Sequence, residues 1–230
     1  MASQRTPGLT PEPPTAQQRG EAKTSASRTS RSRDDSLAAI ILAAGRSTRF
    51  GSPKMLARLA GRPVLRHTAE HVIDAGIDNV IVVVPPEAAA FAEALDGLDV
   101  RSIANPDPGR GLSSSIRTGI DALPPSVREV LLVLGDQPTI ASDILRALFA
   151  THRASRHPVT IADYGGVLAP PAIFDRSIFA DLLALEGDHG ARRVVAKYSD
   201  RATRVPFDSM PPDIDTPEDL VRLQAGFVDG

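Results

Sequence analysis

The chain has 230 residues, of which 42% are hydrophobic, so it is long enough for one large α/β domain or two small ones. Its formal net charge of −2 gives no general argument for nucleic acid or an anionic membrane as a partner, and no apolar run reaches the roughly 20 residues of a membrane-spanning helix. The absence of cysteine excludes a disulfide framework, a thiolate zinc site and a cysteine nucleophile, and it fits a cytoplasmic protein.

Residues 1–35 differ in composition from the rest of the chain. They mix Pro, Ser, Thr, Gln and Arg with few large apolar residues, and they show no hydrophobic period. An Arg- and Ser-rich start can also indicate an organellar targeting helix, but several prolines and two glutamates oppose such a helix. We predict a disordered tail over 1–35, followed by one domain over 36–230.

Short apolar segments alternate with amphipathic ones in the first half of this domain. Leu37–Leu42 and Val80–Val84 are apolar throughout, which is typical of strands covered on both faces. Between them, a helix is predicted to begin at Pro63. The next two predicted elements are a helix over 87–95 and a weaker strand over 100–104.

The second half continues this alternation and then becomes irregular. Its predicted elements are a helix capped by Ser113 or Ser114, a strand over 130–134, a helix capped by Ser142, a hairpin of 159–162 and 166–168, helices over 174–185 and 191–198, and a final helix with Thr216 at its N-cap. Strands that alternate with helices argue for a mostly parallel sheet with right-handed crossovers. The predicted fold class is therefore α/β, with a small hairpin insertion in the C-terminal half.

Three polar loops follow predicted strands, after Leu42, Ala104 and Leu134. In an open parallel α/β sheet, ligands bind outside the carboxyl ends of the strands. Because each of these loops contains Gly or Pro and becomes polar where the strand ends, we expect the three loops to form one binding site.

The loop after Leu42 is rich in small residues and cations. Gly45 and Gly51 free the backbone for a close approach to a ligand, and Arg49 and Lys54 can neutralise a polyphosphate. The loop matches neither the P-loop pattern nor the dinucleotide fingerprint, so both assignments are excluded. A basic surface turn is the alternative, and we favour a site for a nucleoside triphosphate.

Asp136 follows an apolar strand and stands at the rim of the predicted sheet. Mg²⁺ is commonly held by one or two carboxylates, with phosphates and water completing its shell. Asp213 and Asp215 supply a second acidic group late in the chain, and one of them must approach Asp136 to complete such a site. The alternatives are a turn cap for Asp136 and helix N-terminal charges for the two late aspartates.

The histidines and serines show no catalytic pattern. No metal-ligand spacing relates His67, His71, His152, His157 and His189. No serine lies in a G-x-S-x-G motif. We therefore expect packed or solvated histidines and no nucleophilic side chain.

Several motifs of this chain resemble those of one family, in the same order. They are Leu42-Ala43-Ala44-Gly45-x-Ser47-x-Arg49-Phe50-Gly51-x-x-Lys54, Gly111-Leu112-Ser113-Ser114-Ser115-Ile116, Gly135-Asp136-Gln137-Pro138, Gly187-Asp188-x-Gly190-Ala191-Arg192 and Asp213-Ile214-Asp215-Thr216-Pro217-Glu218-Asp219-Leu220. Over about 37–223 the chain resembles the MobA-like nucleotidyltransferases, and most of all the molybdenum cofactor cytidylyltransferases. The resemblance implies a Rossmann-like, three-layer α/β/α fold of the nucleotide-diphosphosugar transferase type.

The resemblance also implies a reaction and its substrates. The terminal phosphate of molybdopterin attacks the α-phosphorus of CTP and releases pyrophosphate, with Mg²⁺ as the cofactor. A phosphate nucleophile is already anionic, so in-line positioning and charge neutralisation suffice and no protein base is needed. The expected partners are CTP or GTP, molybdenum cofactor and a client molybdoenzyme, and neither nucleic acid nor a membrane.

Carried over residue by residue, the resemblance assigns roles to named side chains. Arg49, Lys54 and Asp136 are expected to be catalytic, and Asp136 and Asp215 are expected to hold the metal ion. The residues expected to contact the nucleotide are Leu42, Ala43, Ala44, Gly45, Arg46, Ser47, Arg49, Gly51, Lys54, Asn105, Gly111, Ser113, Ser114 and Asp136. Those expected on the acceptor side are Pro171, Asp188, Gly190 and Arg192.

Two positions bear on specificity. Ala44 stands where related guanylyltransferases tend to carry glycine, which favours cytidine. Ala169-Pro170-Pro171 replaces the Gly-His-Pro that family members usually show, so the acceptor side departs from the family pattern. The alternatives are a guanylyltransferase acting on the same cofactor, an NAD(P)H-dependent oxidoreductase on the same scaffold, and a non-enzymatic cofactor carrier or chaperone. The missing dinucleotide fingerprint opposes the oxidoreductase.

Overall fold

The computed structural model describes residues 36–45 and 47–228. The predicted tail over 1–35 and Arg46 of the first loop lie outside these described residues. The predicted domain boundary at residue 36 therefore stays a prediction.

A seven-stranded sheet forms the centre of the described residues. All strands of the described residues, including two outside this sheet, are, in chain order, β1 (Leu37–Leu42), β2 (Arg58–Leu59), β3 (Arg62–Pro63), β4 (Val80–Val84), β5 (Arg101–Ala104), β6 (Glu129–Leu134), β7 (Val159–Tyr164), β8 (Val167–Asp175) and β9 (Ala202–Pro206). The order across the sheet is β5-β4-β1-β6-β8-β7-β9, and β2 and β3 pair separately. β8 runs antiparallel to β6 and β7, whereas the other neighbouring pairs of the sheet are parallel. The prediction of a mostly parallel sheet is confirmed.

Helices cover both faces of this sheet. They are α1 (Val64–Asp74), α2 (Ala89–Ala94), α3 (Leu112–Asp121), α4 (Ser142–Ala154), α5 (Phe179–Leu183), α6 (Arg192–Lys197) and α7 (Pro217–Val228). On one face α1, α2 and α4 pack with Ala39 and Ile41 of β1, and on the other α3, α5 and α6 pack with Ile40 and Leu42. This arrangement confirms the three-layer fold that the resemblance implied. Within the described ranges, no helix has both the length and the apolar character needed to cross a membrane.

The strand β1 is apolar throughout because both of its faces are covered. Every residue of β1 is buried, with successive side chains packed against opposite helix layers. β1 pairs with β4 on one side and with β6 on the other, so that Leu42 lies opposite Val83 and Leu134. β5 is parallel to β4. The loops after β1, β5 and β6 consequently leave the same edge of the sheet, as the sequence predicts.

The C-terminal half differs from the prediction in its details. The helix predicted over 174–185 is shorter, because Phe174 continues β8 and α5 begins only at Phe179. β9 is missing from the prediction, since Arg204 and Pro206 interrupt its apolar pattern. The predicted hairpin is present as β7 and β8, and it extends the central sheet by pairing with β6 and β9.

The predicted serine caps of α3 and α4 are wrong. Ser113 and Ser114 lie inside α3, and Ser142 is the first residue of α4. The Ser114 hydroxyl instead donates to the carbonyl oxygen of Gly111 at 2.8 Å, which is the backbone bond that short polar side chains readily form within a turn. By contrast, α7 begins directly after Thr216, as predicted.

Candidate functional site

A cavity of about 530 Å³ lies at the edge of the sheet where β1 and β6 end. The loops after β1 and β6, the loop before α3 and two late segments of the chain supply its walls. The predicted site residues that line it are Leu42, Ala44, Gly45, Ser47, Arg49, Lys54, Gly111, Asp136, Asp188 and Asp215. The fold thus brings residues from the first, second and third predicted loops to one place.

Lys54 is the centre of the charged part of this cavity. Its Nζ lies 2.5 Å from Oδ2 of Asp136 and 3.0 Å from Oδ1 of Asp215. Nη2 of Arg49 lies 2.9 Å from the other Asp215 oxygen, Oδ2. The Lys54 and Asp136 side chains are 12% and 14% exposed, whereas that of Arg49 is 73% exposed. The four side chains form one network with a shielded end at Asp136 and a solvent-facing end at Arg49.

This environment raises the pKa of Lys54. Burial on its own lowers that pKa, but the charge of Asp136 and the hydrogen bonds to Asp136 and Asp215 together outweigh it. Lys54 is therefore a cation throughout the neutral pH range, as a ligand for an anionic phosphate must be.

Gly135 fixes the place where Asp136 stands. Its N–H donates to the carbonyl oxygen of Leu42 at 3.0 Å, and its own carbonyl accepts from the Thr68 hydroxyl at 3.1 Å. A Cβ at this position would lie only 3.1 Å from Cδ1 of Leu65 in α1. Because position 135 is glycine, β1 and α1 can pack closely around the end of β6. Asp136 is therefore attached directly to a tightly packed part of the core.

Ser47 closes the first loop. Its hydroxyl accepts from the backbone N–H of Lys54 at 3.2 Å, and its carbonyl accepts from the N–H of Phe50 at 3.0 Å. Lys54 then begins a single 3-10 turn in which Met55 is buried. These contacts anchor the backbone at Lys54, so that its side chain reaches the end of β6.

Asp215 is held by the first turn of α7. The Asp219 carboxylate accepts from the backbone N–H groups of Asp215 and Thr216, at 3.1 and 2.8 Å, and from the Thr216 hydroxyl at 2.9 Å. The Thr216 hydroxyl oxygen in turn accepts from the N–H of Asp219 at 3.3 Å. This reciprocal cap satisfies N–H groups that the helix leaves free, and it fixes the backbone next to Asp215.

The same hydrogen bonds lower the pKa of Asp219 to about 2, with the bond from the Thr216 side chain contributing most. Since the unfolded value is about 3.9, the carboxylate stabilises the folded state above that pH and loses this effect as the pH falls towards the folded value. We expect the free energy of unfolding, measured with urea from neutral to acidic pH, to fall less steeply in Asp219→Asn than in the wild type. Glu218→Gln, in the same helical turn, is the matched control. Equal slopes in Asp219→Asn and the wild type would contradict the assignment.

Asn105 braces the loop that precedes α3. Its amide donates to the hydroxyls of Ser114 and Ser115, at 2.8 and 3.0 Å, and its side-chain carbonyl accepts from the N–H of Asp107 at 3.0 Å. Asn105 is 1% exposed, and of these side chains only Ser115 lines the main cavity. Asn105 therefore supports one wall of the cavity from behind.

Gly111 brings the loop before α3 against the loop at Gly187. Its φ of +88° lies in the left-handed region that favours glycine. A Cβ at position 111 would lie 2.6 Å from the carbonyl carbon of Gly187 and would overlap Asp188. Glycine thus allows the two loops to touch, which places Asp188 at the cavity.

We expect Gly111→Ala to separate these two loops. The backbone strain and the overlap each cost about 1–3 kcal/mol, so both the free energy of unfolding and the affinity for a nucleoside triphosphate should fall. Urea denaturation and nucleotide titration measure the two effects. Gly97→Ala is the matched control, since it has a φ of +77° but nothing within 4 Å of the added Cβ. Equal losses in the two variants would show that the contact with Gly187 is unimportant.

Several predicted nucleotide-contacting residues do not line the main cavity. Within the described ranges these are Ala43, Gly51, Asn105, Ser113 and Ser114. Ala43 packs in the core, because the loop does not leave the sheet until the residue after it. Asn105, Ser113 and Ser114 border a second cavity of about 330 Å³.

Of the predicted acceptor-side residues, only Asp188 lines the main cavity. Pro171 is buried in β8, at a bulge where Pro170 and Pro171 have no partner in β7. Gly190 lies behind the wall of the cavity, and Arg192 is exposed at the start of α6.

Other lining residues are absent from the sequence prediction. They are Thr48, Met55, Pro108, Gly109, Leu112, Ser115 and Leu134. Thr48, Leu112 and Ser115 lie within the motifs, and Met55 and Leu134 stand next to them. Pro108 and Gly109 lie in the polar loop after Ala104, so position in a motif or in a polar loop is the signal that could have found these residues. Their residue types alone indicate no chemistry.

The buried histidines are packed, as predicted. His67 Nε2 lies 2.8 Å from the carbonyl oxygen of Leu59, and His152 Nδ1 lies 2.8 Å from the hydroxyl of Thr160. Burial lowers the pKa of both side chains. Neither histidine lines the main cavity.

Asp136 and Asp215 are the candidate metal ligands. Among residues 36–45 and 47–228, no group of three or more His, Cys, Asp or Glu side chains could hold a metal ion. However, oxygens of these two carboxylates already converge on one cation, Nζ of Lys54. Two carboxylates fit Mg²⁺, since it usually takes its remaining ligands from substrate phosphates and water.

Known proteins match much of this chain. 2-C-methyl-D-erythritol 4-phosphate cytidylyltransferase from Cereibacter sphaeroides is 38% identical over 117 residues, which are 49% of this chain and 52% of that protein. Bifunctional protein GlmU from Paracidovorax citrulli is 33% identical over 167 residues, which are 70% of this chain and 32% of that protein. The chain therefore spans about half or less of the length of these curated relatives.

Solved structures match over nearly their whole length. Rv0371c from Mycobacterium tuberculosis H37Rv has a TM-score of 0.71 and 30% identity, with 82% of this chain and 98% of that one covered. A complex of the same protein with manganese has a TM-score of 0.69 and 29% identity, with 83% and 98% covered.

The family match rests on the sequence itself. A protein-family model described as "MobA-like NTP transferase domain" matches residues 39–202 of the 230. The matched segment begins in β1 and ends at the start of β9, so it contains the loop of Lys54, Asp136 and the loop of Asp188. This chain belongs to the MobA-like NTP transferase family, and nucleotidyl transfer, the reaction class that its motifs imply, is the class of that family.

Proposed function

We propose that this protein is a Mg²⁺-dependent nucleotidyltransferase that moves a nucleoside monophosphate from a nucleoside triphosphate to an acceptor phosphate. The observation that carries this proposal is the convergence of Asp136 and Asp215 on Lys54, with Arg49 beside them. A site with this composition offers cations to a polyphosphate and carboxylates to a hard metal ion.

Arg49 and Lys54 hold the triphosphate in this proposal. Arg49 stands at the solvent-facing end of the network, where its planar guanidinium can meet an entering phosphate. Lys54 stands at the shielded end, where a compact ammonium acts more strongly because less water screens it.

Asp136 and Asp215 hold Mg²⁺. When bound there, the ion neutralises negative charge that develops on the reacting phosphates. Asp136 is fixed by the end of β6, and Asp215 is fixed by the first turn of α7. The manganese complex of Rv0371c supports a divalent metal in this fold.

The proposed step needs no protein base. An oxygen of the acceptor phosphate forms a bond to the α-phosphorus, the bond from that phosphorus to the bridging oxygen breaks, and pyrophosphate leaves. Since the attacking oxygen is already anionic, alignment and charge neutralisation supply the catalysis. No histidine is found in the described lining of the cavity, which agrees with this scheme.

The proposed donor is CTP. Ala44 lies in the wall of the cavity and is 3% exposed, so its methyl group narrows the space beside the end of β1. Related guanylyltransferases tend to carry glycine there, and a tighter wall favours a pyrimidine over the larger purine. The cytidylyltransferase that is 38% identical to this chain supports the same choice.

The proposed acceptor is the terminal phosphate of molybdopterin. With this acceptor, the proposal also includes a cytoplasmic location and delivery of the product to a client molybdoenzyme. The second candidate is 2-C-methyl-D-erythritol 4-phosphate, because the 38% identical relative is named for it. Both acceptors present a terminal phosphate, so the same step serves either of them.

The test combines the full chain with Mg²⁺, either CTP or GTP, and each acceptor in turn, and it measures pyrophosphate. We expect release with CTP and one acceptor, and none without an acceptor or with the metal chelated. No release from any combination would overturn the proposal. Saturable binding of a nicotinamide nucleotide without binding of CTP would favour the oxidoreductase, and cofactor binding without turnover would favour a carrier.

A further inference from the structure

Asp136 and Asp215 approach Lys54 from supports of different kinds. Asp136 lies two residues beyond the central strand β6, whereas Asp215 belongs to a segment, 207–216, without regular secondary structure. The distance between the two carboxylates therefore depends on what holds this segment against the sheet. The cap of α7 fixes the backbone N–H groups of Asp215 and Thr216.

A hydrophobic contact anchors the segment on its other side. Ile214 is 1% exposed and packs with Leu59 of β2 and with Val64, the first residue of α1. This contact holds the segment near the sheet. Apolar packing is non-directional, however, so it does not by itself set the direction of the neighbouring Asp215 side chain.

Gln137 supplies a directional link between the two supports. Its Nε2 donates to Oδ1 of Asp213 at 3.2 Å. The bond joins the residue that follows Asp136 to a residue two positions before Asp215. Gln137 is 3% exposed, and its Oε1 is buried without a hydrogen-bond partner among the described residues, so the amide serves here as a donor.

The chemistry of this link requires a donor at position 137. Gln137 donates to one oxygen of the Asp213 carboxylate, which neither a carboxylate nor an apolar side chain at that position could do.

We infer that Gln137 is a positioning residue that sets the spacing of Asp136 and Asp215 through its hydrogen bond to Asp213. This role rests on the proposed function, in which the two carboxylates hold the metal ion. Gln137 itself is absent from the cavity lining among the described residues, so it acts through the late segment and not by touching the substrate.

The test uses side chains of equal size. Gln137→Glu replaces the donor with a carboxylate that faces Asp213, and Gln137→Glu combined with Asp213→Asn restores a hydrogen bond of the reversed direction. Mn²⁺ is the probe, and its affinity is measured by electron paramagnetic resonance with a non-hydrolysable CTP analogue present. We expect Gln137→Glu to weaken Mn²⁺ binding about 10–100-fold, the range found when partners that orient metal ligands are lost. The double variant should recover most of that loss.

A further variant, with Gln137→Glu added to Asp215→Asn, distinguishes a positioning role from general damage to the fold. If Gln137 acts through Asp215, then adding Gln137→Glu to Asp215→Asn should cause little further loss of Mn²⁺ affinity, because the affected ligand is already missing. Urea denaturation of each variant checks that it is folded. A lack of effect in Gln137→Glu, a failure of the double variant to recover, or a full additional loss in the Asp215→Asn background would each overturn the inference.

The outcomes also separate this inference from the proposed function. The expected pattern of Mn²⁺ affinities without any pyrophosphate release would leave the positioning role in place and overturn the proposed reaction. Pyrophosphate release by the wild type together with unchanged Mn²⁺ binding in Gln137→Glu would do the opposite. Failure of the wild type to bind Mn²⁺ would overturn the positioning role and the metal dependence together.

Discussion

Replacing Asp136 with Asn is expected to lower kcat/KM for nucleotidyl transfer by about a thousandfold. This loss corresponds to about 4 kcal/mol of transition-state stabilisation, the magnitude found when one preorganised charge-stabilising group is removed. Asn keeps the shape of the side chain but removes the charge that binds Lys54 and, in our proposal, the metal ion. Steady-state pyrophosphate release at saturating Mg²⁺ measures the effect.

Asp143→Asn is the matched control for this variant. Asp143 is an exposed carboxylate in the first turn of α4 that accepts a hydrogen bond from the N–H of Ile144, and it does not line the main cavity. Near-normal turnover in Asp143→Asn and loss in Asp136→Asn would locate the effect at the site. Full activity in Asp136→Asn would remove Asp136 from the metal site.

Replacing Lys54 with Met is expected to raise KM for the nucleotide about 10–100-fold, with a smaller effect on kcat. The range follows from the loss of charge-assisted hydrogen bonds of about 1.5–3 kcal/mol. Met keeps most of the length of the stem, which is largely buried beside Met55 and Asp136. Mn²⁺ affinity should not fall together with nucleotide affinity, because the variant removes a cation that competes for Asp136 and Asp215.

The Lys54 prediction is strict because nucleotide affinity should fall while Mn²⁺ affinity should not. Lys197→Met is the control, since it removes an exposed lysine that pairs with Asp181 at 2.8 Å outside the site. A parallel fall in nucleotide and metal affinity would indicate that Lys54→Met disturbs the fold of the first loop. Unchanged KM would remove Lys54 from the triphosphate site.

The sequence predicts those elements whose pattern is local. The strands β1 and β4 are apolar without interruption, so they can be predicted without knowing which strands pair with them. Asp136 stands just beyond the apolar run of β6, and its place at the rim follows from that strand. For the same reason the three polar loops could be assigned to one edge before any distance was known.

Elements that form only by pairing with distant segments of the chain are harder to predict from the sequence. β9 contains Arg204 and Pro206 and is a strand only because β7 offers its backbone along that side. Phe174 reads equally well as the start of a helix, and pairing with β6 decides that it continues β8. Local pattern cannot supply such information, since it comes from residues distant in the chain.

The same limit applies within the candidate site. The sequence offers both Asp213 and Asp215 as partners of Asp136. The packing of Ile214, the hydrogen bond from Gln137 and the cap of α7 distinguish them. In the structure, Asp215 shares Lys54 with Asp136, and Asp213 pairs with Gln137. The signal for this choice lies in contacts between residues that are 76 positions apart.

The ion pairs at Lys54 have a consequence for how the site discriminates among anions. Lys54, Arg49, Asp136 and Asp215 balance one another, so the cavity presents a charge-compensated group and not a bare cationic patch. A lone anion can gain these cations only by leaving two carboxylates without counter-ions, which is unfavourable in a shielded place. In the proposed reaction, a divalent cation that arrives with the triphosphate would replace the cations at the two carboxylates and free them for the phosphates. We therefore expect the site to favour the metal–nucleotide pair over free phosphate.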